Sequence, residues 1–161
     1  MCLVLRRVLF RCARIINCDA QAADFREAML LKTELNGVQM AAAQLAGIDF
    51  RSPKLGRLSL VRANLTGATF LQCNLKLFRF DQARLEGADM RQVNLEGAKL
   101  DGAILTGANL RESRIRQASL VGTVAIDADV SGCDLILADL RDADFSRADL
   151  RFTRLVGANC S

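Results

Sequence analysis

The side chains able to do chemistry in this sequence are thiols, carboxylates, hydroxyls and cations, and histidine is absent. That removes the commonest general base, the usual metal ligand and the group that titrates near neutrality. The six cysteines (Cys2, Cys12, Cys18, Cys73, Cys133 and Cys160) contain no CxxC pair and have no His to complete a zinc set. Hydroxyls and carboxylates such as Ser113 and Asp139 lack a base or orienting residue that could activate them. The expectation is a non-catalytic protein, with no catalytic, metal-binding or cofactor-binding residue assigned and no cofactor.

Whatever these residues do, 161 residues that are 51% hydrophobic and 25% charged are enough for one domain with a real core. Aromatics are only 5%, all of them Phe, so the core must be built mainly from Leu, Ala and Val. The cysteines are too sparse for a disulfide scaffold, and Met1 to Asn17 hold Arg6, Arg7, Arg11 and Arg14 with no clean apolar signal-peptide stretch. This reads as a reduced, cytoplasmic chain, although an Arg-rich, acid-free start also resembles a mitochondrial transit peptide. No segment approaches the length of a membrane span.

Internal repetition carries most of the information. From Phe25 onward a large apolar residue recurs at every fifth position, as in Leu60, Leu65, Phe70, Leu75 and Phe80, with Ala125 the weak member. A period of five is neither helical nor strand-like, so the chain must turn once per repeat. Two residues before each centre lies a small residue, for example Ala63, Ala68 and Ala83, and residues two apart share a face of an extended segment. Both therefore point inward, while the residue between them, often Asp or Asn, points out. The other two residues make a corner, where ten of the eleven glycines share one position and Gly56 alone departs from it. A turn with positive φ explains that placement. The small inward position repeats over twenty residues. Two columns are almost all Ala, whereas a third reads Thr33, Pro53, Cys73, Val93, Ser113, Cys133 and Thr153. Four sides per coil follow, with about seven coils between Gln21 and Cys160.

The tandem Ala-(Asp/Asn)-Leu-x-x units, seen at Ala63-Asn64-Leu65, Ala108-Asn109-Leu110, Ala138-Asp139-Leu140 and Ala148-Asp149-Leu150, resemble the pentapeptide-repeat family. The resemblance implies an all-β fold, a right-handed four-sided parallel β-helix, over residues 21–161. It is unspecific for function. The family's best-known activity is mimicry of DNA by acidic dimers that bind a type II topoisomerase (gyrase), yet here the acids do not run the length of the rod. The leading expectation is a non-catalytic scaffold or adaptor with an unknown protein partner. Gyrase protection, and a module of a larger secretion adaptor or effector, are the alternatives.

Residues 1–20 read as an N-terminal cap. Leu3 and Val8 look too large for inward positions, and a helical wheel gathers Val4, Leu5, Val8, Leu9, Cys12, Ile15 and Ile16 opposite the four arginines. The C-terminal coil has no such cap, and Leu137, Leu150, Phe152, Leu155 and Val156 suggest an apolar rim for a homodimer. Sorting charges by the twenty-residue period gives the third side, coil positions eleven to fourteen, ten cations against three acids. Arg51, Lys54, Arg91, Arg111, Arg114, Arg151 and Arg154 form its stripe, a candidate for weak, non-specific polyanion binding.

Overall fold

The computed structural model describes residues 3–161, which wind as a right-handed, four-sided parallel β-helix. With two exceptions, outward residues meet their counterparts twenty positions on: Asn64 pairs with Arg84, Arg84 with Ile104, Ile104 with Val124 and Val124 with Asp144. Longer strands occur only in the first three coils. β1 (Arg14–Ile16), β2 (Glu34–Asn36) and β4 (Lys54–Leu55) form one sheet, and β3 (Val38–Gln39) and β5 (Leu58–Ser59) the other.

One pentad shows why the chain turns. Ala83 and Leu85 point inward and are fully buried, while Arg84 points out. The Arg84 N–H donates to Ala63 C=O of the coil before at 2.9 Å, and the Leu85 N–H to Ile104 C=O of the coil after at 2.7 Å. Glu86 and Gly87 then turn the corner, closed by the Ala88 N–H donating to Leu85 C=O at 3.1 Å. Gly87 has φ 63°, the left-handed value that the third residue of a type II turn requires. Leu77 and Phe152 adopt the same geometry, at φ 63° and 62°, so L residues are admitted at a steric cost that glycine avoids. Inside the tube the centres stack coil on coil. Phe50 lies flat on Phe70 with ring centroids 4.6 Å apart, and Phe80 meets Phe70 edge-on.

The N-terminal segment departs from expectation. Residues 3–20 are not a helical cap but a further coil, so eight coils are stacked among the described residues; Met1 and Cys2 lie outside them. Val4 and Leu9 pair with Asp24 and Met29, the Leu5 N–H donates to Asp24 C=O at 2.7 Å, and Arg7, Cys12 and Asn17 take the corner φ. The objection that Leu3 and Val8 are too large fails for a physical reason. The inward position admits large side chains even between two coils, where Ile48, Leu58 and Phe78 occupy it and are buried.

Candidate interaction surface

The surface is built on the one backbone N–H that the coil leaves over. In a regular pentad the N–H of the first corner residue has no inter-coil partner. The preceding outward Asp or Asn supplies one: Asn64 accepts from Thr66 N–H at 3.2 Å, Asn94 from Glu96 at 3.1 Å, and Asp129 from Ser131 at 3.0 Å. This is an Asx turn, and it explains why those two residue types dominate the outward position.

When the corner residue is Arg, the same carboxylate also holds its guanidinium. Asp24–Arg26, Asp49–Arg51, Asp89–Arg91, Asp139–Arg141 and Asp149–Arg151 are such clasps, with N···O distances of 2.6–2.8 Å. The hydrogen bond from Arg151 brings the Asp149 carboxyl down to about 2, and Arg26 does the same for Asp24. Asp49, Asp89 and Asp139 are lowered by the same contact.

These clasps redistribute the charge of the third side. Asp49, Asp89 and Asp149 belong to the second side, but they reach across the corner and compensate Arg51, Arg91 and Arg151. Arg111 follows Asn109 rather than Asp and turns to Glu112 at 3.3 Å, while Arg154 approaches Asp134 at 3.4 Å. Lys54 and Arg114 alone of the seven stripe residues have no carboxylate within 4.0 Å among the described residues. Across the whole described chain the uncompensated cations are Arg11, Lys32, Lys54, Arg57, Arg62, Lys99 and Arg114. Five of these lie on the third side or the corner that follows it. Arg57 was missed by sorting on sides because it sits on that corner.

The wall is interrupted at two places, between Met29 and Asp49 on the second side and, next to the basic stripe, on the third side. Pro53 occupies the position whose N–H closes the corner in a regular pentad, and proline has none. A residue before proline is pushed to extended φ/ψ, and Ser52, like Arg57 at the next corner, does not take the left-handed conformation of the remaining corners. Coil three accordingly leans on coil two. Lys54 N–H donates to Thr33 C=O at 2.8 Å, Gly56 N–H to Leu35 C=O at 2.7 Å and Arg57 N–H to Asn36 Oδ1 at 3.0 Å. Gly56 is required there, since a Cβ would lie 2.6 Å from Asn36 Cγ.

Toward coil four the ladder is missing. Asn74 pairs with Asn94 above it but not with Lys54 below, and neither Leu55 N–H nor Asn74 N–H has a backbone partner. A recess of about 500 Å³ opens at that point, lined by Arg51, Pro53, Leu55, Leu71, Gln72, Cys73 and Asn74. Leu55 and Cys73, both at inward positions, are only part-buried in it.

The remaining candidate residues sit as follows. Leu137, Leu150, Phe152, Leu155 and Val156 are all exposed, Phe152 at 89%. Leu137 and Val156 are brought together, with Leu137 N–H donating to Val156 C=O at 3.1 Å, while Phe152 stands on a different corner. The described cysteines are free thiols. Burial raises Cys73 to about 11 and Cys133 to about 12, so neither is a nucleophile near neutrality. Among the described residues no cluster could hold a metal ion, and no helix is long and apolar enough to cross a membrane.

Solved structures similar to the chain include HetL from the cyanobacterium Nostoc sp. strain PCC 7120, a pentapeptide repeat protein involved in heterocyst differentiation regulation. It is 25% identical over 94% of this chain and 89% of its own, with TM-score 0.43. The pentapeptide repeat protein Rfr23 from the cyanobacterium Cyanothece 51142 is 21% identical, over 92% and 91%, with TM-score 0.39. Full-length QnrB1, a plasmid-mediated fluoroquinolone resistance protein, is 20% identical, over 95% and 91%, with TM-score 0.34. No curated protein sequence matches the chain. The sequence profile of pentapeptide repeats matches in eight copies, over residues 43–82, 79–117, 103–142 and 126–161. With most of its length matched in this way, the chain belongs to the pentapeptide-repeat family.

Proposed function

We propose that the protein is a non-catalytic interaction scaffold of a reducing, cytoplasmic compartment, whose third side recognises an acidic surface on a protein partner. The observation that carries this reading is the placement of uncompensated charge. Five of the seven cations without a carboxylate lie on or beside one side. The acids left without a cation include Asp101, Asp142 and Asp144 on the first side. A rod with one uncompensated basic side suits docking better than DNA mimicry, which needs negative charge along the whole length. Since charge rather than base-reading geometry recommends the surface, polyanions should bind it weakly and without sequence preference.

The test is titration of heparin and duplex DNA at two ionic strengths, alongside affinity capture from the source cell with wild type and with Lys54→Gln/Arg114→Gln. Binding should fall steeply with salt, and the double variant should lose captured partner. Salt-insensitive binding, or a double variant that captures as wild type does, would overturn the assignment.

The apolar C-terminal coil supports a second contact, between copies of this chain. Phe152, Leu137 and Val156 are exposed there, and the inward residues Leu150 and Leu155 are 39% and 41% exposed. A two-fold arrangement would bury them against themselves.

A further inference from the structure

We infer that the interruption between coils three and four is a peptide-binding slot, which takes an extended acidic segment of a partner by adding it to the exposed edge of coil three. The inference rests on the scaffold reading and names the occupant.

Three observations meet at this place. The first is unpaired backbone. In a regular rung one residue of the upper coil receives a hydrogen bond and returns one: Leu95 N–H donates to Arg114 C=O at 2.7 Å, and Arg114 N–H donates to Val93 C=O at 2.9 Å. The corresponding groups of coil three are Leu55 N–H and Pro53 C=O, and the corresponding residue of coil four is Asn74. Neither bond is made. The alternation of a parallel ladder directs Leu55 N–H and Pro53 C=O toward the slot, because Lys54 N–H is already spent on Thr33 of coil two. An incoming residue can therefore accept from Leu55 N–H and donate to Pro53 C=O, as in β-strand addition.

The second observation is an apolar floor. Pro53, Leu55, Leu71 and Cys73 line a recess of about 500 Å³. Leu55 is a pentad centre that the neighbouring coils cover only partly, whereas Leu35 and Leu75 in the same column are fully buried. A side chain of the segment that points inward covers Leu55, and those on either side of it along an extended chain point out.

The third is charge. Lys54 and Arg57 flank Leu55 without a carboxylate within 4.0 Å, and Arg51 stands at the mouth. Carboxylates at the outward positions of the segment meet these cations. The segment so described alternates apolar and acidic residues, and the N–H that donates to Pro53 C=O belongs to an acidic, outward position, as Arg114 N–H does in the regular rung.

The probe is a fluorescein-labelled synthetic peptide alternating Val and Asp, titrated against the full chain by fluorescence anisotropy. Saturable binding is expected, weakened tenfold or more when the central Asp is N-methylated and when every Asp is replaced by Asn. Pro53→Ser should also abolish it, because it returns the corner N–H, frees residue 52 to turn and lets coil three close on coil four; thermal melting of that variant shows that it is folded. Lys54→Gln/Arg57→Gln should weaken binding while leaving the melt unchanged. Absence of saturation by the acidic peptide overturns the slot. So does a peptide that binds equally when N-methylated and to Pro53→Ser, which would leave only general attraction to the basic side. Because the scaffold reading is tested by capture and by Lys54→Gln/Arg114→Gln, the slot can fail without it.

Discussion

Each outward carboxylate of an Asp-x-Arg unit does two jobs, capping a corner N–H and holding a guanidinium, and substitution separates them. Asp89→Asn keeps an acceptor for Arg91 N–H and loses only the ion pair, so its stability should stay close to wild type by chemical denaturation. Asp89→Ala loses both and should cost about 1 kcal/mol. If Asn and Ala cost the same, the cap contributes nothing. The pH dependence follows from the same contacts. The folded-state pKa of Asp24 and Asp149 lies near 2, below the ordinary value of about 3.9, so their contribution is present above about pH 4 and is lost as pH falls toward 2. Thermal melts should be flat from neutrality to about pH 4 and fall below it. The dominance of Asp and Asn at this position was legible in the sequence, but its cause was not, because the orphan N–H exists only once the corner has formed.

Columns, rather than strands, are the elements of this fold, and they account for residues the repeat leaves unexplained. In the third inward column most side chains bond downward, which Ala could not do. Thr33 Oγ1 donates to Phe10 C=O, Ser113 Oγ to Met90 C=O and Thr153 Oγ1 to Val130 C=O, each at 2.8 Å, and the Cys133 thiol donates to Leu110 C=O at 2.9 Å. Ser113→Ala should therefore cost about 1 kcal/mol in denaturant, more than its small change of volume would give. Leu85→Ala should cost about 2–5 kcal/mol, because stacked neighbours cannot collapse into the cavity, and Arg91→Ala much less. Equal losses from these two would contradict the inward register. The five- and twenty-residue periods made the columns and corners readable before any coordinates. The N-terminal coil read as a helix because Leu3 and Val8 looked too large for inward positions, yet Ile48, Leu58 and Phe78 fill such positions inside the stack and are buried. The slot was hidden for a different reason: Pro53 was visible, but the pairings it removes lie between coils.

At the scale of the whole molecule the rod is asymmetric in charge, in apolar exposure and in the continuity of its walls. Light scattering should show a dimer for wild type and a monomer for Phe152→Glu, if the exposed C-terminal residues are an interface. The charge of each side could be counted from the sequence, but its compensation could not, since Asp49 and Arg51 belong to adjacent sides and meet only across a corner. Amide hydrogen exchange, resolved residue by residue, bears most directly on the central claim of a four-sided coil ladder that is interrupted on its third side between coils three and four. The account predicts strong protection at Leu95, Arg114, Leu75 and Asn94, whose N–H groups bridge coils, and fast exchange at Leu55 and Asn74 on the same side. Protection at Leu55 and Asn74 equal to that of their neighbours would mean an unbroken wall, and would contradict it.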